Sequence, residues 1–212
     1  RLLPGKRLVL LFGLLPEPPR RIHPYFRLRL HFPEHRIRMK KILQGDARNY
    51  ACNLHQATNH RYGTHPYSYH LAMVAEFARK YIHLIPEESR NDVLCACWTH
   101  DLIEDCRVTY NDIKNDLNET IADLTYALTN DKGKNRAERA GAKYYQGIRD
   151  TPFADFIKIC DRLANVRYSA ENKSSMLRAY QKEQTHFAQA LYRTGLDEMF
   201  TELYQLLESV PA

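Results

Sequence analysis

After about residue 40, apolar residues recur at three- and four-residue intervals, the period of helices buried on one side. Ile42 to about Asn59 reads as a first helix, with few breakers after Gly45. Tyr67 to Leu84 reads as a second, with His70, Met73, Val74, Phe77 and Tyr81 along one face. The intervening Arg61-Tyr62-Gly63-Thr64-His65-Pro66 is a loop, where Gly63 suits a turn and Pro66 is tolerated in a helix's first turn. Pro86, Glu87 and Glu88 open a third helix, the acids favouring the positive end of its dipole. Val93, Cys97, His100, Asp101 and Glu104 share one face, so this helix is expected to run through His100-Asp101. Thr109 and Asp112 form a capping box for a fourth. Further helical segments follow at Ile121 to Leu128, near Ala137 to Gly147, and from Phe153 to about Ser169 behind Thr151-Pro152. The last two run from Ser174 to Arg193 and from Leu196 to Val210, with Gly195 at the helix end between them. Strand-like alternation is missing between Met39 and Ala212, and the expected fold is all-α: a compact helical bundle over residues 39–212.

Charge divides the chain in the same place. Residues 1–38 hold nine Lys or Arg against two Glu, together with six prolines; the remainder holds 22 basic and 23 acidic residues. The formal charge of +6 is thus concentrated in the first 38 residues, and a basic surface for nucleic acid over the whole domain is not indicated. That proline density allows no helical period, so residues 1–38 are expected to be a poorly structured basic extension, or upstream sequence preceding Met39. A basic arm touching nucleic acid is the rival reading. Five cysteines form no CxxC pair and sit among apolar residues, as reduced interior thiols do. The sequence has no 18-residue apolar run that would span a membrane, and Leu8 to Leu15 lacks the small-residue cleavage site of a signal peptide. A cytoplasmic protein is expected.

The chemistry gathers at Thr99-His100-Asp101-Leu102-Ile103-Glu104-Asp105. An imidazole and carboxylates on an otherwise apolar helix face cost several kcal/mol to bury unless paired or bound to a metal. A His followed by an Asp offers one nitrogen and one oxygen, a mixed set suited to Mn, Fe or Zn. Glu104 and Asp105 follow within one turn, where they could handle protons. His70 lies on the apolar face of the second helix, and Asp161 shares a stripe with Ile157, Ala164 and Tyr168. A core histidine, or an Asp paired with an Arg, would be the ordinary explanation of either residue alone. Together, His70, His100, Asp101 and Asp161 would bring two imidazoles and two carboxylates from three helices to one ion.

The order His…His-Asp…Asp resembles the HD-domain metal phosphohydrolases. The finer likeness is to the alarmone-hydrolase branch: the hydrolase half of RelA/SpoT proteins and the small stand-alone SpoT-homologue-like hydrolases. Four blocks carry it. Arg61 to His70 is similar to the family's Arg-rich loop leading to PYxxH, and Thr99 to Asp105 to LHDxxED. Thr129-Asn130-Asp131-Lys132, with Lys134, Arg136, Glu138 and Arg139, is similar to TDDK…K.ER, and Lys158 to Arg167 to KLADRxxNxR. The resemblance implies an HD-domain helical bundle with His70, His100, Asp101 and Asp161 as ligands to Mn²⁺, the donor set also accommodating Fe²⁺ or Zn²⁺. It implies Glu104 and Asp105 as the catalytic pair, Arg61 packed on the nucleobase, Asn165 near ribose and phosphate, and Lys132, Lys134, Arg136 and Arg139 facing phosphates. The implied partner is a phosphorylated guanine nucleotide, and the implied reaction converts guanosine tetra- or pentaphosphate into GDP or GTP and pyrophosphate. Leu71 stands where the family commonly has Pro after the first ligand His, Tyr62 at a position often basic and Cys160 in place of a small Ala, and Ala164 and Tyr168 differ from the common choices around Asn165; these departures bear on base and phosphate preference. Two alternatives therefore stay open: another HD-domain nucleotide phosphohydrolase acting on a nucleoside phosphate or NADPH, and a nucleotide-sensing HD domain without turnover.

Overall fold

The computed structural model describes residues 42–130 and 132–209, and residues 1–38 lie outside them. Eleven α-helices carry the described chain, as the apolar periodicity requires. Helix α1 is Gln44–Ala57, α2 is Ser68–Lys80 and α3 is Glu87–Thr99; a short 3-10 turn, Ile82–Leu84, joins the last two. Helix α4 is Leu102–Asp105, α5 is Tyr110–Asp116 and α6 is Glu119–Leu128. Helix α7 is Arg136–Arg139, α8 is Ala142–Asp150 and α9 is Ala154–Glu171. Helices α10, Met176–Leu191, and α11, Asp197–Glu208, follow on either side of Gly195, whose φ of +97° permits the reversal.

The α1–α2 connection is more ordered than a plain loop. Strands β1 (Arg61–Tyr62) and β2 (His65–Pro66) pair antiparallel, with Arg61 opposite Pro66 and Tyr62 opposite His65. Gly63, at φ +58°, makes the turn. A Cβ there would strike the Tyr168 hydroxyl, so the hairpin presses against α9 where only glycine fits.

Helix α9 is the centre of the packing: α2, α3, α6, α8, α10 and α11 all lie against it. Its buried residues include Phe156, Ile157, Ile159, Cys160 and Leu163, and they carry Asp161 and Arg162 inward with them. Helix α3 packs on α1, α2 and α6 and is buried at every position from Val93 to Thr99, as an all-round interior helix must be. The single inward face expected of it understates how deeply it sits. Predicted ends shift elsewhere too. The segment near Ala137 to Gly147 splits into α7 and α8 at Ala140–Gly141. Thr109 does cap α5, with the Asp112 amide donating to its hydroxyl and the Thr109 amide donating to the Asp112 carboxylate. Among the described residues no helix is long and apolar enough to cross a membrane.

Candidate active site

The expected continuous helix through His100-Asp101 is corrected by the structure, and the break is what assembles the site. Helix α3 ends at Thr99; the His100 Nδ1–H donates to the Cys97 carbonyl at 3.0 Å, the acceptor that the Asp101 amide would take in an unbroken helix. Helical bonding restarts one turn on, with the Asp105 amide donating to the Asp101 carbonyl at 2.9 Å. Because a carbonyl only accepts, Nδ1 carries a proton, and Nε2 of His100 faces inward.

That nitrogen meets three other metal-ligating atoms. His70 Nε2 from α2 lies 3.3 Å away and Asp101 Oδ2 lies 2.9 Å away. Asp161 Oδ1 from α9 lies 3.2 Å from His70 Nε2 and 3.9 Å from His100 Nε2. Asp101 Oδ2 is also 3.6 Å from His70 Nε2. Both imidazoles are almost wholly buried, so four polar groups from three elements crowd one point inside an apolar core. Such spacings suit ligands around one ion, and the His70, His100 and Asp161 ligand atoms all lie within 4.8 Å of one another.

Neighbouring side chains hold the carboxylates in place. Lys158 Nζ lies 2.9 Å from Asp161 Oδ2, and Asn165 Nδ2 donates to Asp161 Oδ1 at 2.5 Å. Tyr62 in turn donates to Asn165 Oδ1 at 2.8 Å, and Tyr67 donates to Asp101 Oδ2 at 2.5 Å. Burial alone would raise both acids, but the His100 imidazole beside Asp101 holds it well below the usual carboxylate range, and Lys158 with the two imidazoles does the same for Asp161. Burial alone would lower His100, but Asp101 and Asp161 outweigh it and raise that imidazole to about 9. Without a metal, the cluster therefore holds a proton where a divalent cation would go. Cys97 and Cys160 are fully buried, burial raises both thiols, and neither is a donor in this cluster.

The cluster forms part of the wall of a cavity of about 410 Å³. Glu104 and Asp105 line it. Glu104 accepts from Asn130 Nδ2 at 2.9 Å. Burial, with the nearby Asp101 and Glu104 charges, pushes Asp105 up to about 7. Of the residues expected at the substrate, Asn165, Arg136 and Arg139 line the cavity, but Asn165 is committed to orienting Asp161. Arg136 is paired with Glu183 at 2.8 Å. Lys132 and Lys134 are exposed and stand outside the cavity wall. Arg61 is exposed as well, its guanidinium donating to the Thr64 carbonyl across the hairpin rather than reaching the cavity.

Several wall residues were not singled out from the sequence. Arg162 is buried and pairs with Glu183 at 3.0 Å, and the Arg136 and Arg162 guanidinium carbons lie 5.3 and 4.7 Å from the Tyr180 ring centre. Lys158 and Arg162 stand inside a motif block already noted, whereas Glu183 and Tyr180 come from α10, far away in sequence. His55 and His60 were also missed. Ala47, Ala51 and His55 recur every four residues on α1's buried face, a signal that was available. Burial lowers His55 to about 4.

The model of the HD domain family matches residues 47–193. The chain belongs to the HD domain family. Among solved structures, it is similar to one reported as "A metazoan ortholog of SpoT hydrolyzes ppGpp and plays a role in starvation responses". That likeness has a TM-score of 0.61 at 20% identity and covers 79% of this chain and 96% of the other. No curated protein matches the sequence. The all-α bundle expected from periodicity is thus an HD domain fold, and the enzyme class read from the sequence, a metal-dependent phosphohydrolase, is supported by the membership.

Proposed function

We propose that this HD domain hydrolyses the 3′-pyrophosphate of guanosine tetra- or pentaphosphate, giving GDP or GTP and pyrophosphate, with Mn²⁺ as its ion. The observation that carries the reading is the convergence of His70, His100, Asp101 and Asp161 beside a carboxylate pair in the wall of one cavity. A similar fold in a protein reported to hydrolyse ppGpp supports it.

His70, His100, Asp101 and Asp161 would hold the ion. When bound, it would lower the pKa of a water and offset charge on the phosphoryl oxygens. Glu104, exposed to the cavity, is placed to take the proton of the attacking water. The bond that breaks joins phosphorus to the ribose 3′ oxygen, which leaves as a hydroxyl and needs a proton. Asp105, with a carboxyl near 7, can supply it. Arg136, Arg139 and Arg162 give the far wall cationic groups for the departing pyrophosphate, two of them braced by Glu183. The free thiols agree with a reducing, cytoplasmic setting.

The position of Arg61 away from the cavity leaves the base without the expected guanidinium platform and favours a broader test panel. Mn²⁺-loaded protein incubated with ppGpp, NADPH and ordinary nucleotides, its products separated by ion exchange, decides the matter. Pyrophosphate released from ppGpp supports the proposal. Phosphate released only from NADPH or another nucleotide keeps the hydrolase and replaces the substrate. Binding without turnover would make the domain a sensor.

A further inference from the structure

A second cluster of nitrogen and oxygen donors lies beside the first and shares no residue with it. His55 Nδ1 from α1 is 3.0 Å from His60 Nδ1, and His60 Nδ1 is 3.5 Å from Asp105 Oδ2 of α4. The ligand atoms of the three residues fall within 4.8 Å of one another. Ligands on one tetrahedral Zn²⁺, each about 2.0–2.2 Å from the ion, stand roughly 3.3–3.5 Å apart, close to the His60–Asp105 separation and a little longer than the His55–His60 one.

With Asp105 ionised, one proton cannot satisfy this arrangement. If His55 donates to His60, the Asp105 carboxylate faces a lone pair; if His60 donates to His55, the same proton is unavailable to Asp105. A cation satisfies all three donors at once. The imidazole planes are also set by stacking: the Tyr67 ring stacks on His60 at 3.9 Å and on His55 at 4.4 Å, while its hydroxyl is spent on Asp101. His60 and Asp105 line the cavity, so an ion held there would be open to water or to a phosphate oxygen.

We propose that His55, His60 and Asp105 form a second divalent-cation site, taking a borderline ion of the Zn²⁺ or Co²⁺ class. With that site filled, Asp105 is a ligand in place of the acid role given it above, and Glu104, having taken the proton of the attacking water, passes it to the leaving 3′ oxygen. The proposal does not depend on which nucleotide the domain hydrolyses.

Chelator-stripped protein titrated with Co²⁺, followed by visible absorption and by elemental analysis after gel filtration, tests it without an activity readout. Wild type should bind two equivalents, His60→Asn one, and Asp161→Asn one with a different spectrum. A single equivalent in wild type, lost in Asp161→Asn and untouched in His60→Asn, overturns the second site and leaves the first standing. Two equivalents persisting in folded His60→Asn overturn it too, and no binding at all overturns both sites. Circular dichroism and melting check each variant; if His60→Asn does not fold, His55→Asn replaces it, and the wild-type stoichiometry still decides.

Discussion

At the scale of single residues, the site depends on which groups are charged when no metal is present. Asp105 illustrates the sign. Its carboxyl stands near 7 in the folded chain, above the ordinary value of an unfolded Asp, so its contribution to stability is full at low pH and is lost as pH rises through 7. Asp105→Asn should leave the metal-free protein's melting temperature nearly unchanged at pH 4. At pH 8 it should raise it by about 3–6 °C, corresponding to about 1–2 kcal/mol after allowance for solvent screening. Equal melting shifts at both pH values would show that Asp105 does not carry the buried charge. The ligands and the proton-handling pair separate in a second experiment. Asp101→Ala should remove both bound Mn²⁺ and turnover, whereas Glu104→Gln should retain the ion and lose turnover by about 10²-fold or more. Full metal retention in Asp101→Ala would remove it from the ligand set.

At the scale of elements, the helices were legible because stripes such as His70-Met73-Val74-Phe77 bury one side of a cylinder, and periodicity records that directly. The break at His100 was not legible. It comes from a side chain taking its own helix's carbonyl, and helical residues at positions 100 and 101 have the same composition whether or not the ladder continues. The ligands could be read because the motif blocks hold them at fixed intervals. The cavity wall could not, since Glu183 and Tyr180 reach Arg162 only through the packing of α10 on α9. The hairpin is a further element with a measurable consequence. Tyr62 of β1 holds Asn165, which holds Asp161, so the turn at Gly63 governs a ligand two hydrogen bonds away. Gly63→Ala combines a positive φ with a collision against Tyr168. It should weaken Mn²⁺ binding by roughly 10-fold, equivalent to about 1.4 kcal/mol of lost orientation. Unchanged affinity in a calorimetric titration would show that the hairpin is only a connector.

At the scale of the whole molecule, the four ligands join α2, the α3–α4 junction and α9, so an ion would add to the apolar packing and the Glu76–Arg167 ion pair that already hold α2 against α9. Occupancy at about 1,000 times Kd adds roughly 4 kcal/mol to the folded state. A chelator should accordingly lower the melting temperature by about 10 °C in a scanning calorimeter. No shift on chelation would mean that the core is complete without metal.

The thiols behind the ligands offer a clock for that core. Cys97 and Cys160 have no exposed surface and their thiols are held neutral by burial, so an alkylating reagent can reach them only through transient opening of the bundle. Half-buried Cys52 should be labelled first and independently of metal. If Mn²⁺ slows modification of Cys97 and Cys160 and leaves Cys52 unaffected, the ion is released by the same opening that exposes α3 and α9. The labelling rate would then measure how often the bundle must loosen before the ion can exchange.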